Sequence, residues 1–322
     1  MEFSKEIIHL KNVPEVVDQI VNDLRTNVSQ TLRRRGGVVG ISGGIDSSVS
    51  LALSVKAFGA EKVLGIMLPE KDSSPDSAML AQKLAETYGV KTLTENITGA
   101  LEGYACYQRR DEAVSRVFPE YNPKTYKMKI GVKQNNVSSN LPPVFYLTII
   151  DPKGKEQAKI LPAAEYLQIV AASNFKQRSR MSMLYYHAER LHYAVIGTPN
   201  KHEVEQGFFV KYGDGGADIM PIGKLYKTQV YQLAEYLGVP KEIIARTPTT
   251  DTYTAEQTQE EFFYQLPFRQ MDILWYAYEN NVPLTEVSKE MGMTVDTLGK
   301  IFENFARKKQ TTDYLRRSPI HI

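Results

Sequence analysis

Between residues 38 and 97, short runs of β-branched and aliphatic residues alternate with runs whose apolar side chains recur at helical spacing. The pattern reads as strand 38–42, helix 46–58, strand 63–68, helix 74–88 and strand 90–97, joined by short connections. A β-α-β-α-β series of this kind predicts the α/β class with a doubly wound parallel sheet, whose ligands gather at the carboxyl ends of the strands. Upstream, residues 14 to 34 read as an amphipathic helix. Pro14 suits its first turn, Val16, Val17, Ile20, Val21 and Leu24 form one face, and Arg33, Arg34 and Arg35 complement the C-terminal dipole before Gly36 and Gly37 stop it.

The alternation breaks from about 105 to 172. This stretch is punctuated by proline and asparagine, and "VFYLTII", "DPKG" and "KEQAKIL" read as a β-hairpin. A helix over 173–190 and a strand over 193–197 resume the rhythm. The rest is helical: 226–237, a short turn after Pro240, 267–279, 284–291 and 293–309. With 322 residues at 42% hydrophobic the chain can bury a full core. The expected organisation is a single domain over 1–322 with an inserted excursion and a helical C-terminal part.

Charge and composition narrow the function classes. A net charge of +2, from 39 basic and 37 acidic residues, provides no global field for a polyanion, which argues against nucleic acid. In the excursion, Lys124, Lys127, Lys129 and Lys133 interleave with Tyr121, Tyr126, Phe145 and Tyr146, but a small solvated hairpin shows the same pattern. The one cysteine, Cys106, excludes an internal disulfide framework and a cysteine metal site and fits a reducing compartment, so a cytoplasmic location is expected. No run approaches the roughly 20 apolar residues of a membrane helix, and His9, His187, His192, His202 and His321 show no ligand spacing.

The chemistry concentrates in "VVGISGGIDSSVSLALSV", residues 38 to 55. Gly43 and Gly44 let the backbone turn and approach an anion at the start of the following helix, while Ser42, Ser47 and Ser48 add hydroxyls. Asp46 is itself an anion, so it belongs beside phosphate only with a hard cation such as Mg2+ between them. A glycine turn whose Asp and Ser merely cap a helix is the rival reading of a lone S-G-G. The stretch is neither the G-x-x-x-x-G-K-[ST] loop nor G-x-G-x-x-G. The full S-G-G-x-D-S-S string resembles the pyrophosphate loop of the N-type ATP pyrophosphatases, which implies the adenine nucleotide alpha hydrolase-like fold.

A second stretch, residues 197 to 240, carries "GTPNKHE", "GFFVKYGDGGADIMPI" and "LYKTQVYQLAEYLGVP"; "QRSRM" precedes it at 177–181 and "PT" follows at 248–249. Together these resemble the NAD synthetase family, ligases that amidate nicotinic acid adenine dinucleotide (deamido-NAD). The resemblance implies that Gly40, Ile41, Ser42, Gly43, Gly44, Ile45, Asp46 and Ser47 cradle ATP phosphates, that Asp46 and Glu203 hold Mg2+, and that Thr198, Lys227 and Thr249 contact ATP. It further implies that Arg178, Lys211 and Asp218 contact deamido-NAD. Arg178 also reads as a helix-surface arginine, and Asp218 as a turn-capping carboxylate. The implied reaction adenylates the nicotinate carboxylate, expels pyrophosphate and lets ammonia displace AMP, in a homodimer. The chain is too short for the nitrilase-type domain of glutamine-using relatives, so ammonia arrives free or from a separate amidotransferase.

Some positions depart from the family pattern. "LPEKDSSPDS" (68–77) keeps only the paired serines of an arginine-tyrosine-serine-serine string, which leaves the adenine side open. His202 stands where a small residue is common. "RKKQTTDYLRRSP" is the nearest match to a C-terminal "HKR", so Lys308 or Lys309 would supply the substrate charge there, or a basic helix end complements the dipole. Cys106 reads as a structural thiol. The excursion reads as a lid, an oligomer contact or a docking surface. Two other readings stand beside amidation of deamido-NAD: the same chemistry on another carboxylic acid, and a silent ATP-binding module, against which the joint presence of Asp46 and Glu203 argues.

Overall fold

A computed structural model describes residues 3–132, 144–249 and 252–322. Strands β1 (Gly37–Gly40), β2 (Val63–Met67), β3 (Lys91–Thr94) and β7 (Ala194–Ile196) form a parallel sheet of order β3-β2-β1-β7. Val38 lies beside Leu64 on one neighbour and Val195 on the other. Period-two alternation sends its side chains to opposite faces. Val39 joins Leu24, Val49, Leu53 and Leu233 from α1 (Val13–Thr26), α2 (Ile45–Phe58) and α8 (Lys227–Leu237). Val38, Ile66 and Val195 turn the other way, onto Leu101 of α4 (Thr98–Gly103) and Leu184 and Ala188 of α6 (Ala163–Leu191). The sheet is thus covered on both faces, as doubly wound folds require.

The chain leaves β1 toward β2 on one side and returns to its other side only with β7, which makes the β1/β7 boundary the topological switch point. Both strands end at the same crevice. Helix α1 begins at Asn12, whose side chain accepts from Glu15 N, and a wide turn Asn27–Thr31 prolongs it nearly to the expected end.

The excursion differs from the expected hairpin in two ways. The hairpin is present as β5 (Phe145–Ile150) and β6 (Glu156–Ile160), but β4 (Lys127–Val132) adds a third antiparallel strand, and α5 (Cys106–Val117) precedes it. The charged sequence of α5 hid a buried face of Tyr107, Arg110, Ala113 and Val114, in which an arginine occupies an apolar position. Helix α6 starts at Ala163, ten residues before the expected 173, because alanine-rich "AAEYLQIVAA" continues it without a break. The aromatics mostly face inward: Tyr121 is buried and Tyr126 and Phe145 pack against Met128, Ile130, Leu147 and Ile149. They do not form a nucleic-acid stacking surface with Lys124, Lys127 and Lys129; Lys133 lies outside the described residues.

The C-terminal helices α10 (Phe268–Glu279), α11 (Leu284–Met291) and α12 (Val295–Thr311) surround Trp275 and Phe305, and the turn after Pro240 forms the short helix α9 (Lys241–Ala245). Among the described residues no helix is long and apolar enough to cross a membrane.

The loop after β1 packs tightly against α3 (Pro75–Tyr88). Gly43 has φ +72°, and a Cβ there would stand 2.7 Å from Ser77 O and 2.8 Å from Leu80 Cβ. Gly43→Ala is therefore expected to lower the unfolding free energy by about 2 kcal/mol, read by urea denaturation, because it adds left-handed strain to a backbone clash.

Candidate active site

Gly44 precedes α2 as its N-cap with no side chain capping the helix, so the first amides meet the carboxyl ends of the strands without a side-chain acceptor. The loop holds its own shape. Gly44 N donates to Ser42 Oγ at 3.3 Å, and the Ser47 and Ser48 hydroxyls donate to Gly44 O at 3.0 and 2.8 Å. Ser48 is fully buried and braces the turn, so it is not a free hydroxyl donor to a ligand as its sequence position suggested.

A cavity of about 500 Å3 opens over this loop. Gly40, Ile41, Ser42, Gly44, Ile45, Asp46 and Ser47 line it, together with Thr198 and Glu203 beyond β7 and Thr249 from the 247–253 segment. Gly43 supports the loop from behind. The fold thus brings together residues as far apart in the sequence as Gly40 and Thr249.

Asp46 lies at the centre. Its Oδ2 pairs with Lys227 Nζ, and its Oδ1 accepts from Asn200 Nδ2 at 3.2 Å. Lys227 is fully buried and does not line the cavity; it reaches the site through Asp46. Burial disfavours its charged form, but the Asp46 and Glu203 carboxylates outweigh this and raise its pKa. Asn200 caps α7 (Lys201–Gln206) in a reciprocal box: its side chain accepts from His202 N and Glu203 N, while Glu203 Oε2 accepts from Asn200 N at 2.9 Å. A carboxylate has two acceptor oxygens, so capping does not exhaust Glu203. Burial and then the neighbouring Asp46 charge push its pKa upward. Burial also raises Asp214, which lines the same cavity, to about 6 although Val210 N donates to it at 2.7 Å.

Crowded carboxylates held in part above their ordinary range are a site short of positive charge, which suits a hard cation. Among the described residues no group of three or more His, Cys, Asp or Glu gathers as a ligand set. A cation here would draw its other ligands from phosphate oxygens and water, as Mg2+ does in nucleotide sites.

The expected substrate residues are more dispersed. Arg178 is exposed and donates to Lys211 O at 3.3 Å, while Lys211 Nζ donates to Tyr314 O and Arg317 O at 2.9 and 2.8 Å. Asp218 accepts from Val195 N at 2.8 Å and Tyr185 Oη at 3.2 Å, a backbone-capping role. Lys308 donates to Phe263 O at 2.9 Å, and burial, then Arg307, lowers its pKa to about 8. None of these four lines the cavity. Cys106 is buried, its Sγ 3.2 Å from Ala172 O, and burial raises its pKa, as fits a structural thiol.

Three groups escaped the sequence reading. Asn200 was legible as a capping box, Asn followed three residues later by Glu. Arg180, which lines the cavity, follows Arg178 by two positions and gave no separate signal. Asp272 sits in the apolar helix "FRQMDILWYAYE" and is fully buried. It accepts from Thr228 N at 2.7 Å and Lys227 N at 3.3 Å, and it meets His202 Nε2 at 2.5 Å. An acid amid apolar residues was the available signal. Asp272→Ala is expected to cost about 3–5 kcal/mol in urea denaturation, because it strands His202 and the first amides of α8 in the core.

A doubly wound parallel sheet with an open helix N-terminus at its switch point, faced by paired acids and a lysine, defines a nucleotide-binding enzyme of the adenine nucleotide alpha hydrolase-like fold. The NAD synthase family profile matches residues 16–141 and 146–319, and the chain belongs to that family. It is 49% identical over 304 residues to the NH(3)-dependent NAD(+) synthetase of Mesorhizobium japonicum, spanning 94% of this chain and 95% of that one. Identity to the protein of the same name from Rhizobium meliloti is 45%, over 98% of this chain and 94% of that one. Among solved structures, the NH3-dependent NAD synthetase of Campylobacter jejuni superposes with a TM-score of 0.64 at 19% identity, covering 97% of this chain and 100% of that one. The NMN synthetase of Francisella tularensis gives 0.65 at 22%, over 97% and 98%. At those identities the two structures bear on the fold.

Proposed function

We propose that the chain is an ammonia-dependent NAD synthetase: it amidates deamido-NAD to NAD with ATP, through an acyl-adenylate, releasing AMP and pyrophosphate. The supporting observation is the Asp46–Lys227 pair beneath the open N-terminus of α2, in a chain close to named ammonia-dependent synthetases over almost its whole length. A carboxylate is a poor electrophile, so its oxygen attacks the α-phosphorus and the bond to the β-phosphate breaks. Ammonia then attacks the acyl carbon, and AMP and a proton leave.

The protein supplies no nucleophile; its residues position groups and stabilise charge. The α2 amides and the Ser42 hydroxyl hold the pyrophosphate end, with Ser47, whose hydroxyl braces Gly44 O, lining the cavity beside them. Lys227 pairs with Asp46 and places positive charge behind it. Mg2+, held by Asp46, Glu203 and phosphate oxygens, would neutralise the departing pyrophosphate. Thr198 and Thr249 contact the nucleotide across the cavity. Arg178, Lys211, Asp218 and Lys308 serve deamido-NAD, which requires Lys211 to exchange its carbonyl partners in the C-terminal segment for substrate. In this reading the whole chain acts as one domain, in the cytoplasm and as a homodimer, with ammonia free or passed from a separate amidotransferase.

Purified protein incubated with ATP, Mg2+, ammonium and deamido-NAD is expected to form NAD and AMP in equal amounts, followed by chromatography. Asp46→Ala is expected to lower the rate at least about a hundredfold, as loss of a principal electrostatic group does. Absence of NAD from protein that binds ATP would refute the acceptor assignment.

A further inference from the structure

A second polar cluster borders the cavity, where Lys176 lines its wall, and runs back toward the inserted segment. Lys176 of α6 is almost fully buried. Its three N–H bonds go to Glu70 Oε1 at 2.9 Å, Asp72 Oδ2 at 3.0 Å and Thr252 O at 3.1 Å. Arg110 of α5, also buried, donates from Nη1 to Asp72 Oδ2 at 2.6 Å and from Nε to Asp111 Oδ1 at 2.9 Å. Tyr107 Oη donates to Glu70 Oε2 at 2.7 Å. The Lys176 and Arg110 charges together hold Asp72 below its ordinary range against the opposing effect of burial.

We infer that Lys176 is a positioning residue that ties the Glu70–Asp72 turn to the Thr252 backbone across the wall of the nucleotide cavity and so sets the affinity for ATP. This rests on the ATP reading above. All three segments that Lys176 joins carry cavity-lining residues: Leu68, Pro69, Ser73 and Ser74 around the acids, Thr249 and Thr252 across from them, and Ser173, Gln177 and Lys176 itself on α6. The turn between is drawn tight, because Glu70 N donates to Ser73 Oγ at 3.1 Å and Asp72 N to Glu70 Oε2 at 3.0 Å. The same wall abuts the phosphate loop, since Gly43 packs on Ser77 and Arg246 donates to Ser77 Oγ at 3.1 Å. A nucleotide anchored by the loop therefore lies along it.

All three Lys176 donors are used within the protein, so the residue holds the wall without a free N–H for the ligand. Stability alone does not call for such a network, because well-packed apolar residues in place of buried ion pairs are often neutral or better. What the ions add is one geometry for three segments. Arg110 and Tyr107 extend that geometry into the insertion, giving the excursion a role in the site that its own sequence does not announce.

Calorimetry with ATP and Mg2+ on the intact protein, beside steady-state kinetics and a thermal melt, tests this. Lys176→Met is expected to raise the ATP dissociation constant and KM for ATP about tenfold or more, leaving KM for ammonium unchanged and kcat within about threefold. Arg110→Met should do the same more weakly, and Arg110→Lys, which keeps a charge on Asp72, should recover most of the affinity. If Lys176→Met does not fold, the two Arg110 variants decide. Variants that melt lower yet bind ATP as the parent does would overturn the inference and leave a purely structural network. Weakened ATP binding in a protein that forms no NAD would uphold the latch while rejecting the proposed acceptor; normal NAD synthesis with unchanged ATP affinity would reject the latch alone.

Discussion

The Asp46 carboxylate is gripped by two groups from distant parts of the chain: Lys227 Nζ on one oxygen and Asn200 Nδ2, 3.2 Å away, on the other. Most of the site follows from that contact. It draws the start of α8 and the cap of α7 under the loop that leaves β1, and with α7 comes Glu203. An unpaired ammonium as buried as Lys227 would cost several kcal/mol, so the lysine requires the acids as much as they require it. Beneath them Asp272 caps α8 and holds His202 in the first turn of α7, so one core carboxylate sets both helices. The outcome is a rigid acidic pocket beneath free helix amides. In the proposed reading this arrangement takes a cation together with the polyphosphate that accompanies it, rather than either alone.

Legibility of the sequence followed the range of the interactions. The parallel sheet and its helices were readable because hydrophobic periodicity and Gly/Pro punctuation are local signals. The loop after β1 stood out because its glycines, serines and aspartate lie within eight residues and shape the turn through local backbone geometry. The excursion was read less completely. Helix α5 presents its apolar face with Arg110 in the middle, and that residue makes sense only once Asp72, far away in the sequence, is beside it. The front of α6 was hidden because a proline-led, alanine-rich start looked continuous with the loop before it.

The same distinction divides the site. Asp46, Glu203, Thr198 and Thr249 were named from motifs and meet around one cavity. Arg178, Lys211, Asp218 and Lys308 were named from the same resemblance, yet each is engaged elsewhere by backbone groups. Three of these residues are flexible cationic side chains bonded to carbonyl oxygens, which a substrate phosphate or carboxylate can replace with a stronger, charge-assisted bond. Asp218 differs, because its bond to Val195 N helps to hold β7. Network residues such as Lys176 and Asp272 leave no motif, since their partners are assembled only by folding.

The central claim is that the loop after β1 takes its phosphates together with a divalent cation. Titration calorimetry of the intact protein with ATP, once in Mg2+ and once in excess chelator, tests it directly. The account predicts measurable binding with Mg2+ and a loss of at least about tenfold in affinity without it, because free triphosphate would then face Asp46 and Glu203 unscreened. Equal affinity in the two conditions would contradict it and show that the helix amides and loop hydroxyls hold the phosphates unaided.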